Sequence, residues 1–317
     1  DFLAKEYRTG EPHPMYNFKV EVTVTDLNGE THTGATFVTI SDIPVLLSAD
    51  IPDELLLDDL QMRFPVSLTN ISSQPVSGKV QYQILSLKTP SDFLYPLKEV
   101  AEEFVTEEAA VRKDFPLIDF AENHKRDCWV SHLIERGEIA IDKSEPAFFY
   151  LSDLQNLSEG YYKIVFSMEY APDQRVEKEY IIYVYSRGKK KCTAYEALWV
   201  AAPEQIEAGE TLQVTVGSYL RDAQVLYEVS INGKLLESRW INLSQSTCAF
   251  SVSVPDSIDG RVCVHLFTMQ NGHAYDVIKT VCIPNTRQQI QVQVVRFKNK
   301  TLPGSQEEYQ LHLNLLS

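Results

Sequence analysis

Along most of the chain, apolar and polar residues alternate with period two, the signature of strands with one covered face. Phe18, Val20, Val22 and Val24 fall on one side of such a run, and Lys19, Glu21, Thr23 and Thr25 on the other. Asn28-Gly29 follows. Both residue types tolerate positive φ, as a two-residue type I′ hairpin turn requires. That turn predicts Leu27 facing Glu30, with Val24 opposite Thr33, Val22 opposite Ala35 and Val20 opposite Phe37. Asn232-Gly233 predicts a second hairpin, with Val229 opposite Leu236 and Val225 opposite Trp240. Asn271-Gly272 predicts a third, pairing Phe267 with Asp276 and His265 with Ile278.

Further strands are expected over Val45–Ala49, Met62–Thr69, Lys79–Leu87 and from Tyr162 to Tyr170, with Glu179–Tyr185 returning after Pro172-Asp173. Residues 90–145 do not alternate, and a structureless loop of that length is improbable in a compact domain. Thr106-Glu107-Glu108 before Ala109–Lys113 supplies a capping residue, acids in the first turn and bases in the last, so a short helix is expected there. A second is expected over Leu97–Val105. Seven strands then follow between residues 193 and 285, the spacing of a β-sandwich. Ile290–Phe297, a Pro303-Gly304 turn and Glu308–Leu315 end the chain.

The expected fold is all-β: tandem antiparallel sandwiches of immunoglobulin or fibronectin-III type, one with a partly helical insertion. Residues 1–42 read as the closing hairpin of a truncated sandwich and 43–187 as a complete one with its insertion at 90–145. Ser186–Lys191 reads as a linker, 193–285 as a seven-stranded sandwich, and 286–317 as the opening strands of a further truncated domain. The chain starts Asp1-Phe2-Leu3 without Met or signal peptide, so it reads as an excised segment or a processed product.

Charge narrows the functions. The 317 residues carry 44 acidic and 29 basic side chains, net -15, and the sole basic run is Lys189-Lys190-Lys191. Nucleic acid needs a basic stripe, so it is disfavoured. No apolar run reaches the ~20 residues of a membrane helix. The five cysteines form no C-x-x-C pair, which removes the common zinc and redox motifs. Cys263 and Cys282 share one face of the last hairpin as diagonal neighbours. Two buried thiols are expected there, with a disulfide only if a bulge closes the gap.

Other candidates for chemistry each meet a structural alternative. His265 and His273 are close in sequence but fall on opposite faces of their hairpin. His124, Cys128 and His132, four residues apart, would share one face of a helix and could form a zinc or Cys–His site; a partly buried loop cysteine is the alternative. Acidic clusters at Asp53-Glu54 with Asp58-Asp59, and at Glu102-Glu103 with Glu107-Glu108, lack a calcium-loop pattern and read as solvated faces. Tyr161, Tyr162, Tyr180, Tyr183 and Tyr185 could stack sugars, although alternating strands would commit them to packing. Serine-nucleophile elbows, P-loops and dinucleotide fingerprints are missing. No catalytic, cofactor-binding or metal-ligating residue is therefore assigned, no cofactor is implied, and no enzymatic activity is expected.

Residues 16–40, YNFKVEVTVTDLNGETHTGATFVTI, resemble a hairpin of bacterial alpha-2-macroglobulin-like proteins, especially large Bacteroidetes forms. In order follow VTEEAAVRKDFP (105–116), LSEGYYKI (157–164), EALWVAAPEQIEAGETLQVTVGSYLRDAQVLYEV (196–229), ESRWINL (237–243) and LPGSQEEYQLHL (302–313), the last with Tyr309 where the family has Trp. The resemblance implies a string of macroglobulin-like sandwiches from a broad endopeptidase trap of the periplasm or cell envelope, its parent exported or a lipoprotein. Its partners would be neighbouring macroglobulin-like domains and, through the full-length protein, target proteases. The family's Cys-x-Glu-Gln thioester does not occur here, since the cysteine contexts are CWVS, CTAY, CAFS, CVHL and CIPN. The segment is thus expected to be a non-catalytic scaffold. The alternative is a surface adhesin or carbohydrate-binding sandwich array, which an exposed aromatic platform on one sheet would support.

Overall fold

The structure, a computed structural model, describes residues 15–57, 63–96, 108–119, 122–151, 157–285, 289–296 and 310–316. The expected second helix and the Pro303-Gly304 turn lie outside these residues. The described chain is almost all strand and forms two compact units, Asp1–Arg187 and Gly188–Ser317.

In the first unit a three-stranded sheet orders Ala147–Tyr150, Arg63–Asn70 and Val45–Ala49. A five-stranded sheet orders Glu54–Leu56, Gln174–Tyr185, Gly160–Ala171, Gly78–Leu87 and Ser131–Ile141. Their inner faces make one sandwich core. Val66, Leu68 and Phe149 from the smaller sheet meet Val80, Ile164 and Phe166 from the larger. The Phe149 and Phe166 rings pack edge to face at 5.2 Å, a favoured aromatic geometry.

The second unit repeats the architecture. Trp199–Ala201, Thr211–Ser218 and Ser246–Ser253 form a three-stranded sheet. Lys234–Leu243, Ala223–Ile231, Gly260–Gln270 and His273–Ile283 form a four-stranded one, in that order. Alternate residues such as Leu212, Val214, Val225, Val229, Val264 and Leu266 are buried. Tyr227 and Phe250 bridge the sheets with ring centroids 4.4 Å apart. A final hairpin pairs Gln289–Arg296 with Gln310–Leu316.

Three expectations need correction. The first concerns the Asn28-Gly29 hairpin, whose register is shifted by one residue: Val24 pairs with His32, Val22 with Gly34 and Val20 with Thr36. Only Gly29 has positive φ, +86°, and Asp26 Oδ1 accepts from the backbone N–H groups of Asn28 and Glu30, both at 2.9 Å. That carboxylate turns the chain through a longer loop with a glycine bulge instead of a two-residue turn. The shift gathers Tyr16, Phe18, Val20, Val38 and Ile40 on one face.

The second correction concerns Asn232-Gly233. The turn itself is type I′, with φ of 49° and 80°, and Ile231 pairs with Lys234. A bulge between Val229 and Ser230 then shifts the register, so Val229 faces Glu237 and Trp240 faces Leu226, not Val225. Lys234–Leu243 is an edge strand, where bulges concentrate. The third hairpin keeps its expected register, with Phe267 opposite Asp276 and His265 opposite Ile278.

The third correction concerns residues 90–145. The helix forms at Glu108–Asp114, but Ser131–Ile141 is an 11-residue strand on the edge of the five-stranded sheet. A register shift opposite Ile84 and Leu85 breaks its period, which hides it from an alternation count.

Candidate functional site

The inner faces of both sandwiches are spent on packing, which leaves outward surfaces for recognition, among them the outward faces of the two larger sheets. In the first unit the outward row Tyr183–Tyr161–Leu87 is set by the strand pairings. Tyr161 and Tyr183 are nonetheless buried, with ring centroids 4.8 Å apart. The insertion covers them. Trp129 meets Tyr161 edge to face at 5.0 Å, and the Arg126 guanidinium lies 4.8 Å from the Tyr161 ring centroid. Trp129 donates Nε1–H to Asn123 O at 3.0 Å. Lys163 Nζ reaches Asp127 at 3.8 Å and Glu179 at 2.6 Å, tying the insertion to the sheet. Tyr162 and Tyr180 belong to the core. Tyr185 stacks against Tyr183 with ring centroids 6.1 Å apart, so the five tyrosines considered for sugar stacking are engaged in packing.

The insertion also fixes its own loop. Asp119, buried, accepts from the His124 backbone N–H at 2.6 Å, and its Oδ2 lies 2.6 Å from His124 Nδ1. This is how a carboxylate closes a loop and holds an imidazole in one orientation. Cys128 ends a three-residue 3-10 turn, while His132 lies on the following strand. The three residues therefore share no helical face. Among the described residues no three His, Cys, Asp or Glu side chains gather as a metal site. Beyond the covered zone the same face turns polar. An open groove of about 560 Å³ is lined by residues including Lys79, Glu138, Ser167, Glu169 and Arg175. Lys79 and Glu138 pair there at 3.0 Å.

The outward face of the four-stranded sheet differs. Its rows follow from the pairings Trp240–Leu226–Phe267–Asp276 and Ser238–Glu228–His265–Ile278. His265 sits between two acids: Nδ1 lies 3.1 Å from Glu228 Oε2 and Nε2 lies 2.5 Å from Asp276 Oδ1. Ser238 donates to Glu228 Oε1 at 2.9 Å. Both ring nitrogens face carboxylate oxygens, which accept, so this setting favours the imidazolium form of His265. Burial alone would lower its pKa; the bonds to Glu228 and Asp276 outweigh that and raise it above 6.5. The His265 and Ser238 hydrogen bonds hold Glu228 below the usual carboxylate value. The serine contacts Glu228 and not the imidazole, so this row is not a nucleophile–base pair.

Around this network polar and apolar side chains mix. Trp240, on the edge strand, is 63% exposed next to half-buried Leu226, while Met269 and Ile278 are exposed two and three strands away. The expected burial of Cys263 and Cys282 is also corrected: both lie on this outward side, Cys263 half-buried and Cys282 exposed. Both are free thiols, and Cys263 Sγ lies 3.8 Å from Thr280 Oγ1. The sequence reading missed Trp240 because the unbulged register turns it inward with Val225. The one available signal was its parity relative to Arg239 and Ile241 on an edge strand.

No protein-family model matches the chain, and no curated protein does. Among solved structures, elastase-activated alpha-2-macroglobulin from Escherichia coli is similar at 9% identity and TM-score 0.24, over 88% of this chain and 27% of that one. A tetra-tandem repeat from the extending region of a large adhesion protein is similar at 12% identity and TM-score 0.23, over 89% and 60%. An ICAM-5 D1–D4 ectodomain fragment gives 11% and 0.23, over 88% and 64%. The chain thus spans about a quarter of the Escherichia coli macroglobulin it matches. At these scores no family is selected, and the fold rests on the sheets described above. No helix among the described residues is long and apolar enough to cross a membrane.

Proposed function

We propose that this chain is a non-catalytic scaffold segment of a bacterial alpha-2-macroglobulin-like endopeptidase inhibitor, acting in the periplasm or cell envelope. The collinear order of six sequence segments carries the reading. Four of them span described strands: the Met15–Ser41 hairpin, the start of Gly160–Ala171, the run from Trp199 to Ile231, and Lys234–Leu243. Two further observations agree with it. The sandwich interiors are spent on packing, and no cysteine has the thioester context. In this reading the sandwiches set the spacing of a protease cage, and any covalent trapping belongs elsewhere in the parent.

The test uses the full-length parent mixed with an endopeptidase. Cleavage of a large protein is compared with cleavage of a small chromogenic peptide. Protection of the protein with the peptide still cleaved supports a steric cage. Equal loss of both indicates an active-site blocker, and no effect on either overturns the inhibitor reading. A second reading, a glycan-binding array, is favoured by one observation: the exposed Trp240 on the outward face of the four-stranded sheet.

A further inference from the structure

We propose that the outward face of the four-stranded sheet in the second unit binds a neutral pyranose oligosaccharide. The sugar chain would lie across the strands along Trp240, Leu226 and Phe267, its hydroxyl edges meeting Glu228, Ser238 and Asp276. This inference rests on the second, glycan-binding reading and is independent of the inhibitor reading.

The first observation is the indole. The chain has three tryptophans; Trp129 and Trp199 are buried, whereas Trp240 is 63% exposed. Among the described residues Trp240 stacks on no ring or cation and makes no hydrogen bond. The exposed indole, set beside half-buried Leu226 and Phe267, presents an amphipathic ring on which a ligand with an apolar face can stack. The second observation is its setting. Leu226 is directly opposite Trp240 and Phe267 directly opposite Leu226. Two strand spacings separate Trp240 from Phe267, roughly 10 Å at about 4.8 Å each. That row is bordered by hydrogen-bonding side chains on both sides: Gln224 and Asn242 form one cross-strand pair, Glu228 and Ser238 the other. A pyranose has the same division, with apolar C–H faces and hydroxyl edges.

The third observation is preorganisation. His265 holds Glu228 and Asp276, and Ser238 fixes the other oxygen of Glu228. A carboxylate has about four acceptor sites, so each retains capacity for hydroxyl donors. Groups already fixed lose little entropy on binding. Charge decides among occupants. A second copy would bring the same two carboxylates against this face, and anionic polysaccharides meet them as well. A purely apolar protein surface would strip water from Glu228, His265 and Asp276 without replacing their hydrogen bonds. A neutral polyol meets none of these penalties.

The experiment titrates the full chain with cellohexaose, xylohexaose, laminarihexaose and mannohexaose by calorimetry, with polygalacturonate as the charged control. Tryptophan emission is read in parallel. The expected result is saturable heat with at least one neutral hexasaccharide, accompanied by a blue shift in emission. Trp240→Ala is expected to weaken binding about tenfold or more with the melting temperature unchanged. Glu228→Gln is expected to weaken it less, with the same apolar row intact. No saturable heat with any neutral sugar at millimolar concentration overturns the proposal, as does undiminished binding by Trp240→Ala. A blue shift that follows protein concentration without sugar also overturns it, because a second copy would then cover the face.

Discussion

The two larger sheets solve one problem in opposite ways. Each carries aromatic residues on its outward side, where a lone sandwich would leave them in water. The first unit covers Tyr161 and Tyr183 with its own insertion, through Trp129 and Arg126. The second leaves Trp240 and its neighbours open around the Glu228–His265–Asp276 network. The difference separates structural aromatics from available ones. Outward parity alone does not mark a binding surface; a covering segment must also be absent.

The comparison can be broken most forcefully at Trp129. Its replacement by Ala removes a buried ring that covers Tyr161, and we expect a loss of about 3–5 kcal/mol from the first unit, read by urea unfolding. Dye binding to newly exposed aromatic surface should rise with it. Gly137→Ala tests the edge strand on the same sheet. A Cβ there would lie 2.5 Å from Tyr82 Oη and 2.6 Å from its Cζ, so the ring must move. The expected cost is about 1–3 kcal/mol in the same assay.

The second unit gives smaller effects. The Tyr227 hydroxyl is buried without a hydrogen-bond partner among the described residues, and burial pushes its pKa up to about 12. Tyr227→Phe removes that unmet group and should stabilise the unit by about 1 kcal/mol, raising its denaturation midpoint. His265 should make stability pH-dependent. Its folded-state pKa is raised, so its contribution is fully present below about 6.5 and is lost as pH rises through the folded value. Glu228 is depressed, so its contribution is present above its unfolded value and lost as pH falls through the folded one. His265→Gln should flatten the neutral limb of a melting-temperature profile. Trp240→Ala should change stability by no more than about 0.5 kcal/mol, the mark of a residue kept for contact and not for packing.

The sequence carried most of the architecture. Seven strands of the second unit and the turns at Asn232-Gly233 and Asn271-Gly272 were legible from alternation and positive-φ residues. Two errors were single-residue ones with large consequences. Asp26 recruits two backbone donors and lengthens its turn, and the bulge at Val229 and Ser230 turns Trp240 outward. Neither leaves a trace in period-two counting: the first is a competition between the Asp26 carboxylate and the ladder for backbone donors, and the second is one unpaired residue on an edge strand. Ser131–Ile141 was lost in the same way, its alternation broken opposite Ile84 and Leu85. The His265 network was half legible. The third turn placed His265 opposite Ile278 with Asp276 nearby, but Glu228 arrives from a strand whose pairing no local pattern announces.

Acrylamide quenching of tryptophan emission, compared between the wild type, Trp240→Ala and Trp129→Ala, tests the covered-against-open contrast most directly. The account predicts one readily quenched, red-emitting population in the wild type that vanishes in Trp240→Ala. In Trp129→Ala that population should persist. A wild type without such a population, or one whose quenching survives the loss of Trp240, would contradict it.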